Sequence, residues 1–227
     1  MAYTRQEIIA RCKDAFRVKS KFYKNDIVNY RGRTSDTKEL YTEVIAEFLC
    51  GNISEYKNGI DTITRESTYK TSSHDGVIKN HNSGREEEMI AMKMFDKEYG
   101  FIGKIIDYQT PLQNKRSDDA GKIDLLAYDG TILRILELKK PDSDETMLRC
   151  VLEGYTYLKT ADKAKLLTDF GLPADTIIKA CPFVFKESKQ HNEIKAECPH
   201  LRELMTLLDS KPYYISENNG IYSVTEE

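Results

Sequence analysis

The chain has 227 residues and a formal net charge of -3, which excludes a polycation that would bind polyanions over its whole surface. Its five cysteines form no C-x-x-C pair and their number is odd, which argues against a disulfide framework and favours reduced thiols in the cytoplasm. The sequence has no signal-peptide core and no apolar run of about 20 residues, so we expect no membrane segment.

The basic charge is concentrated at the N-terminal end. Residues 1–33 contain nine Lys or Arg and three acidic residues, whereas the rest of the chain is acidic. Four aromatic residues are interleaved with these charges: Phe16, Phe22, Tyr23 and Tyr30. Two interpretations stay open, a nucleic-acid-binding surface and an amphipathic helix with a solvated basic face. The apolar stripe of this segment could alternatively form a homodimer.

Apolar residues at three-to-four spacing predict helices over residues 4–23 and 37–49. Residues 50–83 are polar and broken by Gly, Asn and Ser, which predicts a long loop. Two histidines lie in this loop, His74 and His81, and each is either solvated or part of a site.

Helices and strands alternate from residue 84 onward. A helix over 84–99 begins with three glutamates, which suit the positive end of the helix dipole. In the next predicted helix, within 141–159, Asp142 is the expected N-cap and Glu145 its capping-box partner. The other predicted elements are a strand over 101–107, a hairpin within 121–140, a strand over 176–185, a helix over 199–208 and a hairpin that turns at Asn219-Gly220.

This order predicts an α/β fold in which helices pack on a mixed central sheet. We divide the chain into three parts. Residues 1–75 form an N-terminal helical, basic extension, and residues 84–190 form the α/β core. Residues 191–227 form a C-terminal helix and hairpin that pack on the core.

The central hairpin carries charges inside apolar strands. Asp129-Gly130 is a strong signal for a two-residue turn, and such a turn pairs Asp124 with Ile135. Because side chains alternate along a strand, Asp124 would lie on the same face as Glu137 and Lys139. Its distance to Glu137 along the diagonal would be about 7–8 Å.

Charges buried in a strand require partners. The two acids and the lysine could satisfy one another as an ion-pair cluster without a function. Alternatively, the two carboxylates could converge on one Mg²⁺ or Mn²⁺, since these cations prefer hard oxygen ligands. Such a cation neutralises a phosphodiester and acidifies a bound water, and a nearby lysine can orient that water.

A helix that carries glutamates precedes Asp124, and Glu137-Leu138-Lys139 follow Asp124 after twelve intervening residues. This pattern resembles the PD-(D/E)XK nuclease superfamily. The resemblance covers residues 84 to about 186 and implies a restriction-endonuclease-like α-β-β-β-α-β core. It implies Asp124 and Glu137 as metal ligands, with the backbone carbonyl of Leu138 as a third ligand. Lys139 would be the catalytic lysine that positions the attacking water.

The resemblance also implies residues on two helices. The first helix supplies a further metal contact, for which the G-x-x-x-E pattern selects Glu88 and the apolar spacing selects Glu87; we favour Glu88. On the second helix, Glu153 and Tyr157 occupy the positions of a glutamine and a tyrosine that face the site in exonuclease-type members. Glutamate departs from that pattern, and Arg149 one turn earlier could bind a phosphate of the substrate instead.

We therefore expect a metal-dependent nuclease that hydrolyses phosphodiester bonds, in DNA in preference to RNA, with Mg²⁺ or Mn²⁺ as the cofactor. The alternative is a catalytically inactive nuclease fold that binds nucleic acid or a protein partner. Degenerate members of the superfamily lose the lysine or an acid. This chain has Asp124, Glu137 and Lys139, which favours catalysis.

Overall fold

A computed structural model describes residues 2–80, 84–114 and 120–226. Two short 3₁₀ helices, Lys19–Lys24 and Asp26–Asn29, lie between the first two α-helices. The α-helices are α1 Arg5–Ala15, α2 Tyr41–Gly51, α3 Ile53–Asn58, α4 Glu86–Met94, α5 Met147–Thr160, α6 Lys163–Phe170, α7 Lys189–Lys195 and α8 Pro199–Leu207. None of the helices in these ranges has the length and apolar character needed to cross a membrane.

The strands form one mixed sheet whose spatial order follows the chain order. They are β1 Glu98–Tyr99, β2 Gly103–Pro111, β3 Lys122–Tyr128, β4 Ile132–Lys139, β5 Ile177–Phe185, β6 Tyr213–Asn218 and β7 Ile221–Thr225. β1 to β4 are antiparallel neighbours, β4, β5 and β6 run parallel, and β7 returns antiparallel to β6. The predicted α/β fold with a mixed central sheet is therefore confirmed.

Apolar side chains cover the sheet on both faces. One apolar layer joins α5, the N-terminal helices and α8, and its buried residues extend from Ile8 to Tyr214. The other layer contains α4 and includes Met94, Leu136 and Phe183. The N-terminal helices thus share a core with the sheet.

The aromatic residues of the basic N-terminal segment are part of this core. Phe16, Phe22 and Tyr23 are buried. Tyr30 stacks on Tyr3 with a centroid separation of 5.4 Å. Arg17 pairs with Asp14 of the same segment, whereas Arg5 and Lys19 pair with acids between residues 39 and 55. The buried rings are not available to stack on nucleic-acid bases, and the packing agrees with the amphipathic-helix interpretation.

Several helices start or end at other residues than predicted. α1 ends at Ala15 rather than at 23, α2 begins at Tyr41 rather than at 37, and α3 lies inside the predicted loop 50–83. α4 ends at Met94 rather than near 99, because Asp96 has a φ of 63°, which a right-handed helix does not continue. The N-cap of α5 is Thr146, whose hydroxyl accepts the Arg149 N–H at 3.1 Å. Asp142, the predicted cap, lies before the helix.

The turn between β3 and β4 is longer than predicted. Tyr128 pairs with Leu133, so the register is shifted by two residues from that of a two-residue turn. The Asp129 carboxylate accepts the N–H groups of Thr131 and Ile132 at 2.9 and 2.8 Å, which closes the longer turn. A shift of two residues leaves each side chain on the same face of the sheet.

Candidate active site

The charged residues of the central hairpin meet at one end of the sheet. β3 begins and β4 ends there, since the two strands are antiparallel. The ladder between them includes the pair Leu125 and Leu136. Continuing it by one pair places Asp124 opposite Glu137, whereas the sequence predicted that Asp124 lies opposite Ile135.

The Asp124 carboxylate lies in the gap between β3 and β4. Its Oδ2 accepts the backbone N–H of Leu138 at 3.0 Å. Because the N–H and C=O of one strand residue point to the same side, the Leu138 carbonyl faces the same gap. A carboxylate and a backbone carbonyl are thus directed to one place.

Near Asp124, the side chains of β3 do not alternate regularly between the two faces of the sheet, although the prediction assumed that they do. Ile123 and Leu126 belong to one apolar layer although they are three residues apart, whereas Leu125 belongs to the other. The prediction that Asp124 lies on the same face as the β4 charges is corrected by this irregularity. Its carboxylate lies at the boundary between the two faces.

Glu137 is buried beneath α5, with 3% of its surface exposed. Gly154 of α5 lies against it, and a Cβ at that position would lie 3.4 Å from the Glu137 Cβ, at the edge of ordinary van der Waals contact. Oε1 of Glu137 accepts a hydrogen bond from Lys139 Nζ at 2.7 Å. Among the described residues, Oε2 has no hydrogen-bond partner. Burial raises the pKa of Glu137, and the charge of Asp124 raises it further.

The Lys139 ammonium is surrounded by three carboxylates, and 4% of the residue is exposed. Nζ lies 2.7 Å from Glu137, 2.7 Å from Glu145 and 3.2 Å from Glu153. Burial disfavours the charged amine, but the carboxylates outweigh burial, so the pKa of Lys139 is raised above its usual value. Lys139 therefore stays protonated at neutral pH.

The α5 residues predicted to bind substrate all belong to this charged network. Glu153 accepts a hydrogen bond from the Tyr157 hydroxyl at 2.9 Å through Oε1, while its Oε2 contacts Lys139. Arg149 Nε lies 2.8 Å from Glu145 and 3.7 Å from Glu153. The guanidinium is thus engaged by carboxylates of the network.

The two candidate glutamates of α4 have different surroundings. Glu87 accepts the backbone N–H of Lys140, directly after β4, at 3.1 Å. Glu88 pairs with Arg85 at 3.3 Å. Glu87 also contributes to the raised pKa of Asp124. The structure therefore places Glu87, the alternate of the prediction, beside the hairpin charges rather than the favoured Glu88.

Gln109 is a second partner of Asp124 that sequence reasoning missed. It lies opposite Asp124 across β2 and β3, and its Nε2 donates to Asp124 Oδ1 at 3.0 Å. Its backbone φ of 49° is in the left-handed region, which is uncommon for a residue other than glycine. No sequence pattern indicates this contact, because the pairing of β2 with β3 creates it.

The half-buried Asp124 carboxyl is poised to change its protonation near neutral pH. Burial raises the pKa of Asp124 to about 7, although the charge of Lys139 acts in the opposite direction and Glu87 reinforces the rise. Strongly perturbed carboxyl groups of this kind are concentrated at functional sites.

A cavity of about 500 Å³ opens beside Asp124 on the α4 side of the sheet. Its lining includes the three glutamates at the start of α4 together with Gln109, Lys122 and Lys140. Glu137 and Lys139 are not among the lining residues, because they face α5. Asp124 is thus the residue that connects the cavity with the buried charges.

Within residues 2–80, 84–114 and 120–226, no three His, Cys, Asp or Glu side chains are grouped as metal ligands. A cation at Asp124 and Glu137 would therefore need backbone or water oxygens as well. Of the two loop histidines, His74 Nδ1 lies 2.6 Å from the Asp107 carboxylate. His81 lies outside the described residues.

A scan against protein-family models found no match to this chain, and searches of curated proteins and of solved structures returned no significant match. A functional conclusion therefore depends on the arrangement of Asp124, Glu137 and Lys139.

Proposed function

We propose that this protein is a metal-dependent nuclease that hydrolyses phosphodiester bonds in DNA with Mg²⁺ or Mn²⁺. The observation that carries the proposal is the Oε2 atom of Glu137, a buried carboxylate oxygen without a hydrogen-bond partner in the described part of the chain. An unpaired buried polar atom is destabilising. A proton on Glu137, whose pKa is raised, would satisfy this oxygen through a hydrogen bond to Glu153, and a cation beside Asp124 would satisfy it in place of that proton.

The residues at this end of the sheet fit a hard divalent cation. Asp124 and Glu137 would provide carboxylate oxygens, and Leu138 would provide a backbone carbonyl. Glu87 would add a carboxylate from α4. Oxygen ligands of this kind suit Mg²⁺ and Mn²⁺. Bound there, the cation would neutralise a phosphodiester and lower the pKa of a water ligand.

The side chains around the cation site supply the other roles. Because Lys139 is protonated, it does not accept a proton. Its three N–H groups face three carboxylates, those of Glu137, Glu145 and Glu153. It would therefore donate to the attacking water or to a phosphate oxygen by releasing one of these carboxylates. Glu153 and Tyr157 fix its position through their hydrogen bonds. Lys122 and Lys140 line the cavity, where they would contact flanking phosphates.

The order of the elements supports the proposal. α4, β2, β3, β4, α5 and β5 follow one another as helix, three strands, helix and strand, with β1 and α6 as additions. This is the order of the restriction-endonuclease-like core that the sequence resemblance implies. A fold does not determine an activity, so the order supports the proposal only together with the site.

Cleavage of supercoiled plasmid DNA with Mg²⁺, Mn²⁺ or EDTA tests the proposal. We expect nicking with either cation, no nicking in EDTA, and loss of activity in Asp124→Asn and Glu137→Gln. Glu217→Gln, which removes an exposed strand carboxylate on β6, is the matched control and should stay active. DNA binding without cleavage in all conditions would contradict the proposal and favour the inactive nucleic-acid-binding alternative.

A further inference from the structure

A second cavity, of about 560 Å³, adjoins the candidate active site. The two cavities have four lining residues in common: Arg85, Glu88, Gln109 and Lys122. Segment 73–80, α4 and β2 bound the second cavity. Its volume is in the range of small-ligand sites, about 300–1,000 Å³. A group that enters it would lie next to the cleaved phosphodiester.

His74 is fixed in the wall of this cavity by a buried acceptor. Its Nδ1 lies 2.6 Å from Asp107 Oδ1, and Asp107 Oδ2 accepts the Thr110 hydroxyl at 2.6 Å. The imidazole stacks on Tyr108 with a centroid separation of 4.3 Å. In the imidazolium form Nδ1–H donates to Asp107 and Nε2–H is the donor left for a ligand, since no described residue bonds to Nε2.

The other lining residues of this cavity combine positive charge with an apolar part. Lys79 and Lys122 provide the charge, and Lys122 forms no ion pair within the described ranges. The apolar part contains Val77, Met89 and Met92, and Val77 is 56% exposed. Two acids that also line the cavity are each paired with a neighbouring cation. This lining suits a ligand with an apolar ring and a phosphate.

We propose that this cavity binds one unpaired nucleotide of the DNA strand, next to the cleaved phosphodiester, with the Nε2–H of the His74 imidazolium donating to its phosphate. The apolar part receives the base, in the way that extruded bases are held between apolar side chains, and the lysines contact the backbone. A base held between apolar side chains in this way has left its pairing partner. The substrate class is therefore single-stranded DNA or a duplex with a frayed or flapped end. This inference rests on the proposed nuclease function.

Two substitutions of His74 distinguish its two possible roles, which are binding of a phosphate and anchoring of segment 73–80 to Asp107. In His74→Asn, the amide nitrogen takes the place of Nδ1 and still donates to Asp107, while Nε2 is lost. In His74→Gln, the amide nitrogen takes the place of Nε2, while the bond to Asp107 is lost. His200→Asn is the matched control, because His200 Nδ1 also lies beside a carboxylate, 3.1 Å from Glu43, outside the cavity.

The test measures binding of a labelled single-stranded oligonucleotide and of the blunt duplex of the same sequence, by fluorescence anisotropy with Ca²⁺ in place of Mg²⁺. We expect tighter binding of the single strand. Its affinity should fall about tenfold in His74→Asn, less in His74→Gln, and not at all in His200→Asn.

Equal affinities for duplex and single strand would overturn the inference. So would an unchanged affinity in His74→Asn, or a larger loss in His74→Gln than in His74→Asn, which would make His74 a loop anchor only. Single-strand binding with the expected His74 dependence, but without cleavage in Mg²⁺ or Mn²⁺, would support the nucleotide site and overturn the nuclease activity.

Discussion

Asp124 and Leu138 are joined across the ends of β3 and β4 by a hydrogen bond of 3.0 Å from the Leu138 N–H to Asp124 Oδ2. This bond holds the carboxylate in the gap between the strands. The cavity lies on one side of the gap and the buried charges of β4 and α5 lie on the other. The ionisation of Asp124 should therefore change both the free energy of unfolding and the affinity for a cation, more directly than that of any other group at this site.

The metal-free protein should lose stability as the pH rises. The pKa of Asp124 is raised from 3.8 to about 7 on folding, so the folded state keeps a proton that the unfolded state has released. The resulting stabilisation is fully present below about pH 4 and is lost as the pH rises through about 7. Urea unfolding in EDTA should show a decrease of roughly 1–3 kcal/mol between about pH 5 and about pH 8.

Asp124→Asn should weaken this pH dependence and stabilise the metal-free protein at about pH 8. The asparagine oxygen can still accept the Leu138 N–H, and the Gln109 amide can turn to accept from the new NH₂ group. Glu137, whose pKa is also raised, would account for the remaining slope. A variant less stable than the wild type at the higher pH would contradict the assigned burial of this charge.

Gln109→Gly should weaken Mn²⁺ binding by roughly 10–100-fold, since it removes a hydrogen bond that orients a metal ligand. Glycine adopts the φ of 49° at this position without strain, so the fold should not be destabilised through the backbone. Isothermal titration calorimetry measures the affinity. Asn219→Gly is the matched control, because Asn219 has a φ of 51° in the β6–β7 turn. Equal losses in both variants would exclude a specific role of Gln109.

Lys139→Met should destabilise the protein by about 3–5 kcal/mol, because it leaves buried carboxylates without their cation. Adding Glu153→Gln should restore part of this loss, since the amide oxygen can still accept the Tyr157 hydroxyl. Chemical denaturation of the single and double variants gives the coupling energy. If the two substitutions are additive, the ion pair between Lys139 and Glu153 does not contribute to stability.

Local turn chemistry predicted both hairpins, but it predicted the register of only one of them. The β6–β7 hairpin is confirmed, because Asn219-Gly220 forms a two-residue turn in which both residues have positive φ. At Asp129-Gly130 the side chain of Asp129 bonds two later N–H groups, so the turn is longer. A dipeptide pattern does not reveal this competing hydrogen bond.

In the candidate site, too, the sequence predicted some features correctly and missed others. The spacing of Glu137 and Lys139 along β4 was sufficient to predict that they share a face, because side chains alternate along a strand, and the ion pair between them is one of the two alternatives that the sequence left open. The contacts of Glu87 and Gln109 could not be predicted. They depend on how segments distant in the sequence pack, and on a left-handed residue inside β2.

Thermal unfolding with Mn²⁺ and with EDTA tests most directly the claim that Asp124 and Glu137 share a cation. A cation that binds only the folded protein stabilises it by about 2.7 kcal/mol at 100 times its Kd. Mn²⁺ should therefore raise the unfolding midpoint of the wild type and of Glu217→Gln, and should leave that of Glu137→Gln unchanged. A wild type with the same midpoint in Mn²⁺ and in EDTA would contradict the claim.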